Sequence, residues 1–477
     1  MTMGTMRTCR WAAVLAVVCA ALGAQAQIFY QFGDGGSGDA LLPEAQGTIA
    51  QGHDGNLYGT TVVGGAFGCG AIFKITPQGK LTVVFSFNGY DGGAEPYSGL
   101  TLGRDGNFYG TTQFYTSQSC GGQDVAAGTV FRVSQSGSPV TQLHIFSFAD
   151  GALPVSPPIQ GTDDAFYGTT PSGGANNLGT VYRITSSGGF TLLYSFDGTN
   201  GANPYSSLVQ GTDGNFYGTA ASGGPAGTIC DPIGCGTIFK MTPQGKVTTL
   251  YAFTAGPDGA APAAPLFQST DGNFYGTTGV GGTTRWGTVF KVTSQGKLTV
   301  LHSFSGLDGQ SPIAGVTLGS DGNLYGTTSL GGYWGYGVVY RISPQGKYEV
   351  LYDFLNLNGS SPTDTPLQHT TGLLFGDTSA GGDNGRGVFY GLDLGLAAFA
   401  ELVPSAAKVG KTVGILGQGF KGATAVSFNG TAAKFVIKSS TFLEATVPTG
   451  VTTGRVTVTT SKGNLVSKRN FRVLHRL

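Results

Sequence analysis

The chain has 477 residues, with 26 basic and 26 acidic side chains, and only 11% of its residues are charged. The balanced charge and the absence of a basic stripe argue against a nucleic-acid partner. Glycine is abundant, at 83 residues. Because these glycines recur at fixed places, they indicate many tight turns instead of a low-complexity chain.

Residues 1–26 have the features of an export signal. Arg7 and Arg10 precede a short apolar run, and Ala24–Ala26 is a small-x-small cleavage site. We therefore expect a mature chain that starts at Gln27 and is secreted, periplasmic or held at the cell surface. The apolar run is short for a membrane span, and no later stretch looks like one, so no span is expected after cleavage.

Four cysteines remain after the predicted cleavage site, and in an oxidising compartment they can pair. Four cysteines allow three connectivities, which the sequence leaves open. Cys230 and Cys235 bracket one short loop and are the favoured pair. Cys69 and Cys120 fall at matching points of neighbouring repeats and can bridge them. No His or Cys pair has the spacing of a zinc site, so no metal site is predicted.

A seven-residue stretch, DGNFYGT at 213–219, recurs along the chain. Successive copies start 50 to 58 residues apart, which makes a repeat architecture the first hypothesis. An eroded seventh copy starts at Thr371. The five other close copies start at Asp54, Asp105, Asp163, Asp271 and Asp321.

Each repeat contains four short predicted strands, which we name A to D. Turns A–B and C–D are tight, since Asp-Gly is a strong hairpin signal, whereas a Gly-rich loop joins B to C. Four short antiparallel strands per repeat are typical of a propeller blade. In the fourth repeat the predicted strands are Tyr205–Gln210, Asn215–Thr219, Thr237–Met241 and Val247–Phe253.

The number of strands of each type predicts how the repeats end. Strand D occurs seven times only if Ile28–Phe32, ahead of the first A strand, is counted. The last C strand, Gly387–Tyr390, has no D strand after it. We therefore expect the first strand to complete the last blade, which would leave no open edge. The sequence predicts an all-β fold, with a seven-bladed propeller over residues 27–396.

Two side chains recur in the repeats. A tyrosine in strand B invites an interpretation as a sugar-stacking array, but packing between blades is favoured, with each hydroxyl bonded to the backbone. A basic residue in strand C suggests a repeated structural hydrogen bond or ion pair, and Tyr390 takes its place in the last repeat. The tyrosines are Tyr58, Tyr109, Tyr167, Tyr217, Tyr275 and Tyr325; the basic residues are Lys74, Arg132, Arg183, Lys240, Lys291 and Arg341.

Residues 400–475 contain no copy of the repeat. Short alternating strands at this spacing predict an Ig-like sandwich. The repeat pattern itself (DGNFYGTT, then GG, GTVFKIT and LYSF) resembles the GloVer tandem repeat of bacterial exported proteins over residues 28–392. That resemblance implies a surface or secreted protein and no established activity. Through Gly417–Phe420, Val447-Pro448 and Gly454, the tail resembles an IPT/TIG domain, which occurs in cell-surface receptors and polysaccharide-acting enzymes.

The variable B–C and D–A loops emerge on one face of such blades, and function usually lies on the loops of a rigid scaffold. Exposed rings with few charges fit an extracellular glycan or protein ligand, although they can also simply cap the blade tops. The aromatic residues of the B–C loops that we predict as ligand contacts are Phe67, Phe114, Tyr115, Trp286, Tyr333, Trp334 and Tyr336.

The predicted function is that of a non-enzymatic binding or adhesion module without a cofactor. The first alternative is a polysaccharide-acting hydrolase or lyase with a site at the propeller mouth. Such a site needs a carboxylate pair, a His or a metal cluster in one place, whereas here Glu is scarce and the five histidines are scattered. The second alternative is a structural component of the cell surface.

Overall fold

The computed structural model describes residues 26–33, 39–43, 49–115, 127–225, 230 and 233–474. The predicted signal peptide, apart from Ala26, and Cys120 lie outside the described residues. The described chain is all-β, and its only helical segments are two short 3-10 turns, Asn356–Asn358 and Phe420–Gly422.

Within the described residues, the seven repeats form seven four-stranded antiparallel sheets, which we number by repeat. The first strands of the described residues are β1 (Ala26–Gln31) and β2 (Ala40–Leu41), and β2 pairs with β5 (Val63–Gly64). Sheet 1 contains β3 (Ala50–Gln51), β4 (Leu57–Thr61), β6 (Ala71–Ile75) and β7 (Leu81–Ser86). Sheet 2 contains β8 (Thr101–Leu102), β9 (Phe108–Thr112), β10 (Thr129–Val133) and β11 (Val140–Ile145).

Sheets 3 to 6 repeat this order without interruption. Sheet 3 contains β12 (Ile159–Gln160), β13 (Phe166–Thr170), β14 (Thr180–Ile184) and β15 (Phe190–Ser195). Sheet 4 contains β16 (Val209–Gln210), β17 (Phe216–Ala220), β18 (Thr237–Met241) and β19 (Val247–Ala252). Sheet 5 contains β20 (Phe267–Gln268), β21 (Phe274–Thr278), β22 (Thr288–Val292) and β23 (Leu298–Ser303). Sheet 6 contains β24 (Thr317–Leu318), β25 (Leu324–Thr328), β26 (Val338–Ile342) and β27 (Tyr348–Asp353).

Sheet 7 takes its fourth strand from the other end of the chain. Strand β1 pairs antiparallel with β30 (Val388–Leu392), so that Ile28 lies opposite Tyr390. The outermost strand of this sheet therefore precedes sheet 1 in the sequence. The other three strands are β28 (Leu367–Gln368), β29 (Leu374–Asp377) and β30 (Val388–Leu392).

Strand A is shorter than predicted. In sheet 4 it contains only Val209–Gln210, whereas the sequence indicated a start at Tyr205. The two serines that precede this strand make side-chain hydrogen bonds and are not part of the strand. The Ser206 hydroxyl lies 2.8 Å from the Thr219 hydroxyl, and the Ser207 hydroxyl donates to the Pro157 carbonyl in sheet 3 at 2.8 Å.

Strand B is buried along its whole length because both faces of each sheet are covered. In the described chain, seven hydrophobic clusters each join two neighbouring sheets. One of them joins sheet 7 to sheet 1 and includes Phe32, Phe73 and Phe375. The Phe32 and Phe73 rings meet edge to face, with centroids 5.6 Å apart.

The six strand-B tyrosines are buried, which agrees with a packing role. The sequence predicted that their hydroxyls bond to the backbone, but this was wrong for the main partner. Each hydroxyl donates to the turn aspartate of the same repeat at 2.8–3.0 Å. The aspartate lies four residues upstream, in the A–B turn of the same repeat. In sheet 4, Lys240 also pairs with Asp213 at 2.9 Å. Burial would raise the pKa of Asp213, but hydrogen bonds from Asn215, Lys240 and Tyr217 lower it to about 2.

A glutamine three residues before the turn aspartate links neighbouring sheets. The Gln268 side chain accepts a hydrogen bond from the Thr212 amide of sheet 4 at 2.9 Å. In the same way, Gln51 of sheet 1 accepts the Thr370 amide of sheet 7 at 3.1 Å. Equivalent bonds are made by Gln160, Gln210 and Gln368.

Sheet 7 departs from the repeat at several positions. The strand pairing puts Gly391, not the predicted Tyr390, at the position of the basic residue, because Phe375 lies opposite Gly391 as Tyr217 lies opposite Lys240. Phe29 and Phe375 fill the space where a Gly391 side chain would lie. The tyrosine, the basic residue and the turn aspartate are thus lost together.

Two fully buried carboxyls replace a hydroxyl pair in sheet 7. Asp364 and Asp377 occupy the positions of Ser206 and Thr219 in sheet 4. Their Oδ1 atoms have no hydrogen-bond partner among the described residues. Burial raises the pKa of Asp364 to about 8, and burial together with the neighbouring Asp364 raises that of Asp377.

The predicted Cys230–Cys235 disulfide is confirmed, with an S–S distance of 2.03 Å. Cys69 is also disulfide-bonded. Its predicted partner, Cys120, lies outside the described residues, so that pairing stays a prediction.

The tail forms a two-sheet sandwich around its own hydrophobic core, which includes Val413, Phe428 and Leu443. One sheet contains β31 (Glu401–Val403), β33 (Thr412–Leu416), β37 (Phe442–Thr446) and β36 (Phe435–Ile437). The other contains β35 (Thr431–Ala432), β34 (Ala423–Phe428), β38 (Val456–Thr460) and β39 (Gly463–Val466). Strands β32 (Ala406–Lys408) and β40 (Arg472–Leu474) pair in parallel.

The tail packs on the face formed by the A–B and C–D turns, which we call the turn face. Phe442 stacks on His53 in an A–B turn, with ring centroids 3.6 Å apart. The Thr441 hydroxyl donates to the His53 carbonyl at 2.7 Å, and Gln418 donates to the Thr370 hydroxyl at 2.9 Å. The B–C and D–A loops lie at the opposite ends of the strands and form the loop face.

Candidate functional site

The B–C loop of sheet 6 presents two neighbouring aromatic rings on the loop face. The side chains of Tyr333 and Trp334 are 75% and 53% exposed. Their rings meet edge to face, with centroids 4.9 Å apart and planes at 88°. Edge-to-face pairs are favoured by the ring quadrupoles, so the two rings hold each other's orientation.

Asp353, at the end of strand β27, fixes the backbone of this loop. Its carboxylate accepts the Tyr333 amide at 2.6 Å. Burial raises the pKa of Asp353, while hydrogen bonds from the Tyr333 and Trp334 amides oppose that rise. Sheets 1, 3 and 5 have a serine here; in sheet 1, Ser86 accepts a hydrogen bond from the Ala66 amide at 3.0 Å. The charged acceptor makes a stronger bond than a hydroxyl does.

The tip position of this loop carries a polar side chain in three other repeats. Asn176, Thr284 and Asn384 each donate to the phenylalanine carbonyl that follows strand D of the same sheet. Sheets 6 and 1 place Trp334 and Phe67 at this position instead. Both rings are exposed, so the hydrogen bond that stabilises the other loops is replaced by apolar surface facing solvent. Departures from a local rule of this kind concentrate at functional sites.

Trp286 extends the aromatic surface toward sheet 5. Its indole lies beside Gly306, where an added Cβ would be 3.5 Å from Nε1. The Gly306 carbonyl in turn accepts the Gly332 amide of the sheet 6 loop at 2.9 Å. The next residue, Leu307, is among the most exposed apolar side chains described. We use the name aromatic loop patch for the group Trp286, Leu307, Tyr333, Trp334 and Tyr336.

The connection that carries Leu307 is held firmly. Asp308 accepts the Ser305 amide at 2.7 Å and bonds to His302 Nε2 at 2.9 Å. The His302 ring stacks on Tyr348, with centroids 3.8 Å apart. Burial lowers the pKa of His302, although Asp308 opposes the shift. His302 is therefore part of the support for the patch.

The structure separates the other predicted contacts from this patch. Phe67 is exposed but lies in sheet 1. Phe114 is half-buried and packs on the hydrophobic cluster between sheets 1 and 2, so most of its surface is used inside the protein. Tyr115 is half-buried beside it. The aromatic loop patch thus contains four of the seven predicted contacts.

Sequence reasoning missed Leu307, Asp308 and Asp353. Asp353 had a detectable signal, because three other copies of the Tyr-Ser-Phe pattern have serine at this position, namely Ser86, Ser195 and Ser303. Leu307 gave no such signal, since a single leucine in a variable D–A connection is unremarkable until the fold places the preceding Gly306 beside Trp286.

Replacing Asp353 by Ser should loosen the tip of the sheet 6 loop without unfolding the chain. The hydroxyl found in other repeats bonds the loop amides more weakly, at a cost of about 1–2 kcal/mol. With Trp286→Phe as background, Trp334 is the sole tryptophan after the predicted cleavage site. Time-resolved fluorescence anisotropy should show faster motion of Trp334 than in the same background with Asp353 kept. Identical decays would contradict the anchoring role.

The described residues contain no group of three or more His, Cys, Asp or Glu side chains that could hold a metal ion. No helix among them has the length and hydrophobicity that a membrane crossing requires.

Family models account for most of the chain. The model described as the Gloeobacter/Verrucomicrobia repeat matches residues 45–231, 113–308 and 229–432. The chain belongs to the Gloeobacter/Verrucomicrobia repeat family. The IPT/TIG domain model matches residues 399–472, which confirms the predicted character of the tail in this family member. A comparison with curated proteins found no match.

Solved structures resemble this family member in fold only. A fungal alcohol oxidase of the AA5 family, in complex with copper, is 12% identical, with a TM-score of 0.52 over 95% of this chain and 100% of that chain. The extracellular domain of a putative one-component system from B. thetaiotaomicron is 10% identical, with a TM-score of 0.48 over 95% of this chain and 60% of that chain. A putative 6-phosphogluconolactonase from Bacteroides uniformis is 18% identical, with a TM-score of 0.44 over 67% of this chain and 88% of that chain.

Proposed function

We propose that this protein is an exported, non-enzymatic binding module that recognises a neutral glycan through the aromatic loop patch. In this proposal residues 27–396 form a closed seven-bladed propeller, and residues 400–475 form the IPT/TIG domain. The disulfide and the IPT/TIG domain fit an extracellular protein.

The closed ring is supported by contacts between the first and last repeats. Strand β1 completes sheet 7, a hydrophobic cluster joins sheet 7 to sheet 1, and Gln51 bonds to Thr370 across the same junction. A ring of this kind holds every loop of the loop face on a rigid support. Rigid support reduces the entropy lost when a ligand binds.

The single observation that carries the binding function is the exposed Tyr333–Trp334 pair, held by Asp353 at a loop position where three other repeats have a polar side chain. A large exposed apolar surface on a soluble protein usually marks an interaction site. The tail occupies the turn face and leaves this patch free among the described residues.

A neutral glycan is the ligand class that fits this chemistry best. The C–H face of a pyranose packs on a flat aromatic ring, while its hydroxyls remain in water or bond to loop backbone groups. The five side chains of the patch are uncharged; of the charged residues adjacent to them in sequence, Arg285 is exposed and Asp308 is bonded to His302. Its five side chains span the loops of sheets 5 and 6, so more than one sugar unit can be contacted.

The test is an incubation of the mature protein with a panel of insoluble neutral polysaccharides. Depletion of protein from solution and release of reducing or unsaturated ends are followed together. We expect depletion without product. Replacing Trp334 by Ala should then weaken retention about tenfold or more, as is usual for a central aromatic contact.

The matched control is Tyr90→Ala, which removes an exposed ring on the same face but outside the patch. Its retention should equal that of the parent protein. Release of product would overturn the non-enzymatic proposal in favour of a hydrolase or lyase. Equal retention of the Trp334→Ala variant would remove the patch from the binding site. No retention on any polysaccharide would overturn the glycan ligand and favour a protein partner or a structural surface role.

A further inference from the structure

A second candidate site lies in the centre of the ring of sheets, away from the aromatic loop patch. The short inner strands and their flanking residues in sheets 2 to 7 surround a cavity of about 630 Å³. Tail residues 404–406 and 469–472 cover it at the turn face. Cavities of roughly 300–1,000 Å³ are typical of small-molecule sites.

The charge of this cavity differs from that of the whole chain. Its charged lining residues are Arg104, Arg469 and Arg472, and none of the described lining residues is Asp or Glu. The full chain, in contrast, has 26 basic and 26 acidic residues. Arginine side chains from the sheets and the tail therefore meet around one space, and their combined field favours an anion.

Two of these arginines have no carboxylate partner. Neither Arg469 nor Arg472 belongs to an ion pair in the described part of the chain. The Arg472 guanidinium donates to the Thr212 carbonyl, and burial lowers its pKa, although the charge of Asp213 opposes that shift. The Arg469 guanidinium lies over the Phe267 ring, 4.6 Å from the centroid. Asp213 offsets only part of the cost of burying the Arg472 guanidinium, so an anionic ligand beside it would lower the remaining cost.

The third arginine is only partly neutralised. Arg104 pairs with Asp164, whose side chain is 75% exposed, and donates to the Gly161 carbonyl at 3.0 Å. Its Nε is buried and has no partner among the described residues. An adjoining cavity of about 380 Å³ shares Arg104 and Arg469 and also contains Glu401. Arg472 lines only the larger cavity, so the excess of positive charge lies there.

The rest of the larger cavity offers hydroxyl groups on a fixed frame. Thr101, Ser269 and Thr317 are among its lining residues. The Gln210 and Gln268 side chains are held by hydrogen bonds to neighbouring turns and keep the walls in place. Hydroxyl side chains both donate and accept, which suits a ligand that carries several hydroxyls of its own.

We propose that the central cavity binds a small polyhydroxylated carboxylate, such as a sugar acid, with Arg104, Arg469 and Arg472 facing the carboxylate. Planar guanidinium groups match a carboxylate in geometry and charge. This site is independent of glycan binding at the aromatic loop patch.

Isothermal titration calorimetry of the mature protein with glucuronate, glucose and inorganic phosphate tests this site. We expect saturable binding of glucuronate that weakens with added salt, and none of glucose. Arg469→Gln should weaken glucuronate binding about tenfold, the loss of one charge-assisted contact of about 1.4 kcal/mol. Arg469 makes no ion pair within the described chain, and its contact with the Phe267 ring is a small contribution, so this variant should keep a thermal midpoint close to the parent's.

Lys462→Gln is the matched control, because it removes one positive charge from the same tail at a residue that does not line the cavity. Its affinity for glucuronate should equal the parent's. Trp334→Ala should also leave that affinity unchanged, which separates this site from the aromatic loop patch. The proposal is overturned by absence of glucuronate binding at millimolar concentration, by equal binding of glucose or tighter binding of phosphate, or by unchanged affinity in Arg469→Gln.

Discussion

At about pH 8, the double variant Asp364→Ser/Asp377→Thr is expected to be more stable than the parent chain. Both carboxyls are buried, and burial raises the pKa of Asp364 to about 8 from its usual 3.8. The folded chain therefore keeps protons that the unfolded chain releases. The free energy of unfolding falls as pH rises from about 4 to 8, by about 1.4 kcal/mol per pH unit for each carboxyl that stays protonated.

The replacement pair already exists elsewhere in the protein. In sheet 4, Ser206 and Thr219 hold the same positions with their hydroxyls 2.8 Å apart. Exchanging the two carboxyls for this pair removes the loss of stability with rising pH, so the variant should be about 1–4 kcal/mol more stable than the parent at about pH 8.

The interval from about pH 7 to 8 isolates this effect. Burial lowers the pKa of His369 to about 4, so its contribution to stability grows with pH only up to about 6.5 and is constant above that value. Burial lowers the pKa of Lys468 to about 8. Its contribution to stability therefore rises with pH only above about 8, where the folded chain has released a proton that the unfolded chain still binds. Between these limits the two carboxyls set the slope.

The measurement is the thermal unfolding midpoint of parent and double variant at several pH values in this interval. The parent's midpoint should fall with pH while that of the variant stays nearly level. The reciprocal variant, Ser206→Asp/Thr219→Asp, places a second pair of buried carboxyls in sheet 4. Its unfolding midpoint should therefore fall more steeply with pH than that of the parent. Parallel curves for parent and double variant would show that Asp364 and Asp377 are ionised in the folded chain.

The second large effect is expected at the junction between the first and last repeats. Phe32, fully buried, packs on Phe73 in the cluster that joins sheet 7 to sheet 1. Phe32→Ala should destabilise the protein by about 3–5 kcal/mol, the usual cost of removing a buried phenyl ring. The midpoint of urea unfolding measures it.

Phe196→Ala is the matched control for the junction. Phe196 holds the equivalent position in sheet 3 and packs on Phe239 of sheet 4, with centroids 5.3 Å apart. If the ring of sheets is closed in solution, the two variants should lose similar stability. A near-zero effect of Phe32→Ala beside a large effect of Phe196→Ala would mean that the first strand is not held in sheet 7.

The repeat spacing and the turn residues were enough to predict the sheets and their strand order. Asp213 and Gly214 mark one turn, the strand count led to Ile28 as part of the first strand, and the tail was separated by the loss of the repeat. Hydrogen-bond partners were harder to predict, because they depend on the register between strands. The Tyr217 hydroxyl therefore had an unexpected partner in Asp213. The position of the basic residue in the last repeat was assigned to Tyr390, whereas the strand register gives it to Gly391.

The candidate site was only partly accessible from sequence. Exposed aromatic loops could be named because the repeats show where loops vary, and Trp334 and Trp286 stood out there. Which rings lie together depends on the spatial order of sheets and on which side chains point outward, as the burial of Phe114 shows. The central arginines gave no signal, since Arg104 and Arg472 are far apart in sequence and meet only after the tail docks.

The pairing of β1 with β30 also sets the order of events during synthesis. Ala26 is among the first described residues to be made, yet its partner, Leu392, lies in the last strand of the seventh repeat. Until that strand is made, β1 has no strand to pair with, and the cluster between sheets 7 and 1 is incomplete. Long-range pairings of this kind slow folding and leave strand edges available to other chains. We therefore expect fragments that stop before the seventh repeat to aggregate, and a nascent chain to depend on chaperones until its last repeat emerges.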